Sequence, residues 1–237
     1  MVSPQSGVSR VMLDRIGSEK ARATSLVRYE ADASFARHEH PGGEEILVLS
    51  GVFSDEHGHY PEGFYLRNPS GSGHLPSSAQ GTIIFVKLWQ MHPDDRQMLR
   101  VNTRDSANWQ RYEDRDICKL HHMRCESDGY REEVMLVRLM PDAVLMESAA
   151  VAGGVEILVL EGALCSQASI STADASHSTV HPESIEYAKG TWIRLPAAHP
   201  GSPDSSAQFR ASDRGATCYV KTGHLARVLP AEPFLDA

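Results

Sequence analysis

The pattern of apolar and polar positions predicts β-strands along most of the chain. Short runs rich in Val, Ile, Leu, Phe and Thr recur between turn-forming segments. The clearest runs are residues 46–49, 81–89, 134–139 and 191–195. Eighteen glycines and thirteen prolines separate them, as many short strands require. Helical periodicity is weak, and short helical turns are expected only within residues 1–18 and 93–100. The pattern therefore predicts an all-β protein.

Part of this strand pattern occurs twice. GEEILVLSG at residues 43–51 returns as GVEILVLEG at residues 154–162. Three further matches follow in the same order: Gly63, Arg67 and Pro69 with Gly190, Arg194 and Pro196; residues 77–80 with 205–208; and residues 85–87 with 219–221. Such self-similarity predicts two copies of one β-barrel. The central strand of each copy is apolar on both faces, so the sister barrel or a second subunit must cover its outer side.

The first copy carries a cluster of metal-ligand residues. His38 and His40 point the same way if residues 38–40 are extended, because side chains alternate along a strand. The Pro-Gly-Gly turn that follows lets Glu44 swing back towards them, and His74 offers a third imidazole. Three imidazoles and one carboxylate suit a divalent first-row metal. Zinc fits first, with iron, nickel and manganese as alternatives.

The spacing of these residues resembles a known family. His38, His40, Glu44 and Gly51 fit the first cupin motif, His-x-His-x3-Glu-x6-Gly. The second motif, whose histidine is the fourth ligand, is similar to a set that ends in His74: Pro61, Glu62, Gly63, Arg67, Pro69 and His74. Residues 42–45, 53–61 and 67–69 resemble the cupin domain of ChrR-type anti-sigma factors most closely. The resemblance covers residues 25–91 and implies a small metal-binding barrel.

The repeat and the resemblance together predict two tandem cupin barrels, also called double-stranded β-helices or jelly rolls. We expect five segments along the chain. They are an N-terminal extension (1–24), a metal-binding cupin (25–105), a linker (106–130), a degenerate cupin without metal (131–225) and a C-terminal tail (226–237). Arg67 and Arg194 recur at one place in both copies, so a structural role in holding the barrel turn is predicted for each.

The second copy lacks the ligand set. Ala149, Val151 and Val155 align with His38, His40 and Glu44. His199 lies a few places early for His74, and one imidazole does not make a metal site, so a hydrogen-bonded loop histidine is expected. His121 and His122, between Cys118 and Cys125, leave a second metal site open, but a connector into the second barrel is preferred.

Composition limits the possible binding partners and the cellular compartment of the protein. The net charge is −8, with 31 acidic and 23 basic residues and no basic cluster, which argues against nucleic-acid binding. The apolar runs are too short to span a bilayer, and residues near the N-terminus lack a secretory apolar core. Cys118, Cys125, Cys165 and Cys218 are scattered, which favours reduced thiols in a cytoplasmic protein. A homodimer is expected from the apolar outer faces.

Two classes of function stay open. One is an enzyme, for example a dioxygenase-like or Lewis-acid enzyme that acts on a small molecule at open metal positions. The other is a sensing module, for example a ChrR-like regulator of a sigma factor. Residues 1–28 contain neither Cys nor His, so the zinc module with which ChrR-type proteins bind a sigma factor is not expected there.

Candidate general bases are Glu45, His57 and His59, each of which also fits a surface or turn position. No catalytic residue is assigned.

Overall fold

The computed structural model describes residues 6–18, 20–147, 153–168, 184–197 and 207–226. These residues form nineteen β-strands and one 3-10 helix, Ser106–Asn108. The chain divides into two compact units, with the boundary after Ser106. The all-β prediction is confirmed.

The first unit contains eleven strands. They are β1 (Val8–Ile16), β2 (Arg22–Tyr29), β3 (Ala33–Ser34), β4 (His38–His40), β5 (Glu44–Asp55), β6 (Gly58–Pro61), β7 (Phe64–Asn68), β8 (Ser72–His74), β9 (Ser77–Ser78), β10 (Thr82–Leu88) and β11 (Leu99–Asn102). The main sheet runs β1-β2-β10-β5-β7-β11, and β4 pairs with β8 in a small sheet of its own. Neighbouring strands are antiparallel.

The second unit contains eight strands. They are β12 (Trp109–Arg111), β13 (Arg115–Cys125), β14 (Tyr130–Leu139), β15 (Val144–Glu147), β16 (Val155–Ala168), β17 (Ser184–Ala188), β18 (Trp192–Leu195) and β19 (Ala207–Thr222). The sheet runs β12-β13-β14-β19-β16-β17, with β18 also paired to β16 and β15 paired to β19.

The predicted repeat appears as matching strand pairs. In the first unit Glu45 on β5 lies opposite Arg67 on β7 and Lys87 on β10. In the second unit Glu156 on β16 lies opposite a corresponding pair, Arg194 on β18 and Lys221 on β19.

One glycine requirement also recurs in the two units. Gly51 and Gly162 both have positive φ, 72° and 67°. A Cβ on Gly51 would lie 2.0 Å from the carbonyl oxygen of Gly81, and one on Gly162 would lie 2.2 Å from that of Gly215. Only glycine fits such a place, so both sequence copies keep it.

Each unit has its own apolar core. The first contains Val8, Val27, Tyr29, Ala33, Ile46, Val48, Phe53, Tyr60, Leu66, Ile84 and Val86. The second contains Val137, Leu139, Ala143, Val155, Ile157, Val159, Leu164, Ile193, Phe209, Ala211, Ala216, Cys218 and Val220. In both, alternate residues of the central strand supply the core, because successive side chains of a strand point to opposite faces.

Two expected boundaries differ from the structure. Residues 1–24 were expected to be an N-terminal extension, with short helical turns within residues 1–18, but β1 and β2 form one side of the first sheet. Residues 106–130 were expected to be a linker, but β12 and β13 belong to the second sheet. Within this stretch, Asp116 on β13 contacts side chains of both neighbouring strands: it accepts from Arg111 at 2.9 Å and lies 3.5 Å from Arg138. Residues 93–100, the other expected site of helical turns, contain no helix.

The helix content also bears on membrane insertion. Within the described ranges, no helix is long and apolar enough to cross a bilayer.

Candidate metal centre

Two short strands bring the three predicted histidines together. His38 and His40 lie on β4, and His74 ends β8, where it pairs directly with His38. One ring nitrogen from each of the three lies within 4.8 Å of the others. His40 Nε2 and His74 Nε2 are 3.0 Å apart. The cluster arises because β4 and β8 are antiparallel neighbours, which sequence spacing alone does not reveal.

Glu44, the fourth predicted residue, begins β5 next to this cluster. Its Oε2 lies 3.3 Å from His40 Nε2 and 3.5 Å from His74 Nε2. Asn68 Nδ2 donates a hydrogen bond to the same oxygen at 3.0 Å. The Glu44 carboxylate is buried, and the hydrogen bond from Asn68 orients it towards the imidazoles rather than into water.

The turn before Glu44 depends on two glycines. A Cβ on Gly42 would lie 2.2 Å from Cδ2 of Trp89. Gly43 has φ +77°, and a Cβ there would lie 2.5 Å from Sδ of Met91. Trp89 itself has a positive φ of 58°, which is rare for a bulky residue. The close contact of this turn with Trp89 fixes where β5, and therefore Glu44, begins.

Burial and neighbouring charges shift the pKa values of the two buried histidines, His40 and His74, in opposite directions. Burial lowers the pKa of His40, and the charge of Glu44 opposes this only in part. Burial also acts to lower the pKa of His74, but the contacts with Asp55 and Glu44 outweigh it, so the pKa of His74 is raised. Two imidazoles that face each other thus have different proton affinities.

Asp55 is a site residue that the sequence analysis did not identify. Its Oδ2 lies 3.7 Å from His74 Nδ1, on the far side of the ring from Glu44. Its other oxygen accepts from the backbone N–H of His57 at 2.8 Å and from the Tyr60 hydroxyl at 3.2 Å. Burial opposes these contacts, yet they lower the pKa of Asp55. The sequence offered one indication that Asp55 faces the barrel interior: it lies on β5 two residues after the core residue Phe53, and alternate side chains of a strand share a face.

A cavity of about 230 Å³ opens beside the cluster. His38, His40, Glu44 and His74 contribute to its wall. The rest of the lining is mainly apolar and aromatic, with two further charged residues: Arg10, Val27, Tyr29, Phe35, Glu39, Pro41, Gly43, Phe53, Ile84, Val86, Leu88 and Trp89. A mostly apolar pocket with a few converging polar groups is the usual form of a small-molecule site.

The three candidate general bases do not reach this cavity. Glu45 Oε2 accepts from Arg67 Nη1 at 3.0 Å, on the face of β5 opposite to Glu44. His59 Nδ1 lies 2.9 Å from Ser54 Oγ, and His57 is exposed, 4.0 Å from Glu56. None of the three lines the cavity.

The second unit has an apolar residue where the first has the carboxylate of Glu44. Val155 begins β16 as Glu44 begins β5, and it is fully buried in the second core. Ala149, Val151 and His199 lie outside the described residues. His121 and His122 are neighbours on β13, with His121 buried 3.9 Å from Glu132 and His122 exposed. The two rings point to opposite faces, so the strand does not bring them together as metal ligands.

Part of the chain matches a known protein family. Residues 1–92 match the family model described as the ChrR cupin-like domain. No curated protein sequence matches the chain.

Three solved structures show the same fold over both units. Protein YlbA from E. coli is 16% identical, with 94% of this chain and 86% of that chain covered and a TM-score of 0.62. A cupin 2 conserved barrel domain protein from Leptotrichia buccalis is 12% identical, with 94% and 91% covered and a TM-score of 0.56. Oxalate decarboxylase from Bacillus subtilis, which has Mn(II) centres, is 10% identical, with 94% and 78% covered and a TM-score of 0.53. Over both units the chain has the bicupin fold, and its residues 1–92 match the ChrR cupin-like domain.

Proposed function

We propose that the first unit binds one divalent metal ion through His38, His40, Glu44 and His74. The observation that carries this proposal is the convergence of these side chains. Ligand atoms on a tetrahedral ion with bonds of about 2.0–2.1 Å lie about 3.4 Å apart, and neighbouring ligands on an octahedral ion about 2.9 Å apart. The distances among His40, His74 and Glu44 are 3.0, 3.3 and 3.5 Å. The donor set therefore fits an ion of this size.

Asp55 supports the same assignment. A metal-bound histidine usually directs its second ring nitrogen to a carboxylate or carbonyl, which fixes its tautomer and orientation. His74 directs Nδ1 towards Asp55 and Nε2 towards Glu44 and His40. His38 Nδ1 similarly lies 2.9 Å from the carbonyl oxygen of Ala36. Two of the three imidazoles are thus oriented with one nitrogen left for the ion.

The cavity beside this centre favours a small-molecule role. Four protein ligands leave positions open on a five- or six-coordinate ion, and the cavity of about 230 Å³ gives access to them. When bound, the ion would supply a Lewis acid, and iron would in addition supply dioxygen chemistry. The chain's own groups position the ligand and exclude water through the apolar wall. Because Glu45, His57 and His59 lie elsewhere, we propose small-molecule binding at the metal, with any catalysis independent of those three side chains.

A second candidate function is regulatory. The match of residues 1–92 to the ChrR cupin-like domain favours it. In this candidate the metal and its ligand would report to a protein partner such as a sigma factor. Mixing the purified protein with a sigma factor and separating the complex by size tests it directly, and no shift in elution at micromolar concentrations would reject it.

Metal analysis of the purified protein tests the main proposal. We expect close to one metal ion per chain, since Val155 replaces the carboxylate in the second unit. Two ions per chain, or none after reconstitution with zinc, iron, nickel and manganese in turn, would contradict it. An oxygen-uptake screen on small diketones and phenols with the iron-loaded protein then separates dioxygenase activity from binding alone.

A further inference from the structure

An arginine enters the first barrel next to the proposed metal centre. Arg10 lies on β1 two residues after Val8, which is 4% exposed in the core. Its Cα pairs with that of Val27, another core residue. Val11, the next residue along the strand, faces outward and is 59% exposed. Strand alternation therefore turns Arg10 inward, and it lines the same cavity as the histidines.

The charge of this cavity favours an anionic ligand. Among the residues described in its wall, the fixed charges are one guanidinium, Arg10, and two carboxylates, Glu39 and Glu44. With a divalent ion bound, the positive charges exceed the negative ones by one. The remaining wall is largely apolar, so an anion there is weakly screened and interacts strongly with a cation. A guanidinium also presents a planar fork of N–H donors that matches a carboxylate.

Tyr29 supplies a second donor beside Arg10. Its phenol is an O–H donor at neutral pH, so it can donate to an anion. Both side chains line the cavity wall.

The wall also limits the size and shape of a ligand. Phe53 and Trp89 contribute aromatic surface, and Trp89 is held in its unusual backbone conformation against Gly42. A volume of about 230 Å³ corresponds to roughly seven or eight water molecules at about 30 Å³ each. This space suits a compact, flat molecule of about ten non-hydrogen atoms and is smaller than a typical drug site.

We propose that the cavity binds a small monocarboxylate with a flat apolar body, with Arg10 and Tyr29 contacting its carboxylate and Phe53 and Trp89 contacting its body. The inference rests on the proposed function in one respect, since the bound ion adds to the positive charge of the site. Arg10 and Tyr29 are present with or without the ion.

Calorimetric titration with benzoate and with its uncharged isostere benzamide tests the proposal. The metal content of every sample is measured in parallel. We expect the wild-type protein to bind benzoate at least tenfold more tightly than benzamide. Arg10→Gln should remove most of that difference while retaining the metal and the melting temperature. Arg28→Gln is the matched control, because Arg28 lies on the neighbouring strand β2 and points outward, so it should leave the preference unchanged.

The outcomes separate this inference from the metal proposal. Equal binding of benzoate and benzamide by the wild type overturns it, and so does an unchanged preference in Arg10→Gln. If the wild type holds no metal but keeps an Arg10-dependent preference for benzoate, the metal proposal fails and the anion site stands. If Arg10→Gln does not fold, Arg10→Lys replaces it, and the wild-type comparison still decides: no preference for the anion overturns the proposal.

Discussion

His40 and Glu44 are two of the four proposed ligands of the metal centre. Both are buried, and Glu44 is within 3.5 Å of two imidazoles. Since each ligand atom must be present and deprotonated to bind the ion, losing one should weaken the site severely.

We predict that His40→Ala and Glu44→Gln each abolish metal retention through gel filtration. Elemental analysis of the eluted protein measures this. His122→Ala is the control, because this imidazole is exposed on β13 in the second unit. Equal loss of metal in the control would show that the ligands are misassigned.

Asp55 acts on the centre through His74. We predict that Asp55→Asn weakens metal affinity about 10- to 100-fold, because the partner that orients the ring becomes a neutral amide. The variant should keep the fold, since the amide can still accept from the His57 backbone and the Tyr60 hydroxyl. Competition with a fluorescent zinc chelator measures the affinity. An unchanged constant would mean that Asp55 is irrelevant to the centre.

The same contact predicts a shift in pH dependence. Asp55 helps to raise the pKa of His74, and protons compete with the ion for this imidazole. Metal binding should therefore weaken as the pH falls through the titration of His74. In Asp55→Asn the pKa of His74 should be lower, so protons compete with the ion only at lower pH. The pH midpoint of metal loss should therefore move down, even though the metal affinity at neutral pH is weaker. A midpoint that moves to higher pH would contradict the assigned role.

At the scale of elements, a buried ionic network ties the strands of the first sheet together. Arg67 is fully buried on β7. It donates to Asp95 through Nε at 2.8 Å and Nη2 at 2.6 Å, and to Glu45 on β5 at 3.0 Å. In the second unit the corresponding Arg194 is half-buried, and its Nε lies 3.8 Å from Glu156. Both geometries support the structural role predicted for the two arginines, and neither residue lines the cavity.

We predict that Arg67→Met destabilises the protein by about 3–5 kcal/mol, because it removes one partner of buried ion pairs with Glu45 and Asp95. Denaturant unfolding followed by circular dichroism measures the loss. Arg104→Met is the matched control: Arg104 forms an exposed ion pair with Glu62, and such pairs contribute little. A variant of Arg67 with unchanged stability but lost benzoate binding would show that the arginine serves the site instead.

At the scale of the whole molecule, the outer faces of the sheets bear on self-association. Leu47 and Phe85, on the faces opposite to the first core, are already buried within one chain. Val11 and Ile83 point to that same side and remain 59% and 37% exposed. Apolar surface of this kind is commonly covered by a second copy related by two-fold symmetry.

We predict a homodimer on this basis. Light scattering at micromolar concentration should give twice the 26.0 kDa of one chain. Val11→Lys should shift the mass towards that of one chain, whereas Ser9→Lys, on the same face of β1, is a control for added charge. A wild-type mass of one chain would show that the internal repeat already provides sufficient cover.

Many of the strands, the repeat and the candidate ligands could be read from the sequence. These are local properties: alternation fixes which side chains share a face, and the spacing of His38, His40 and Glu44 around a Pro-Gly-Gly turn is read within seven residues. Only the tertiary structure placed His74 opposite His38, put Asp55 behind His74 and brought Arg10 into the cavity. It also showed that the segments expected to be an extension and a linker contain paired strands. Which strand lies beside which depends on hydrogen bonds between distant segments, and no local pattern specifies those partners.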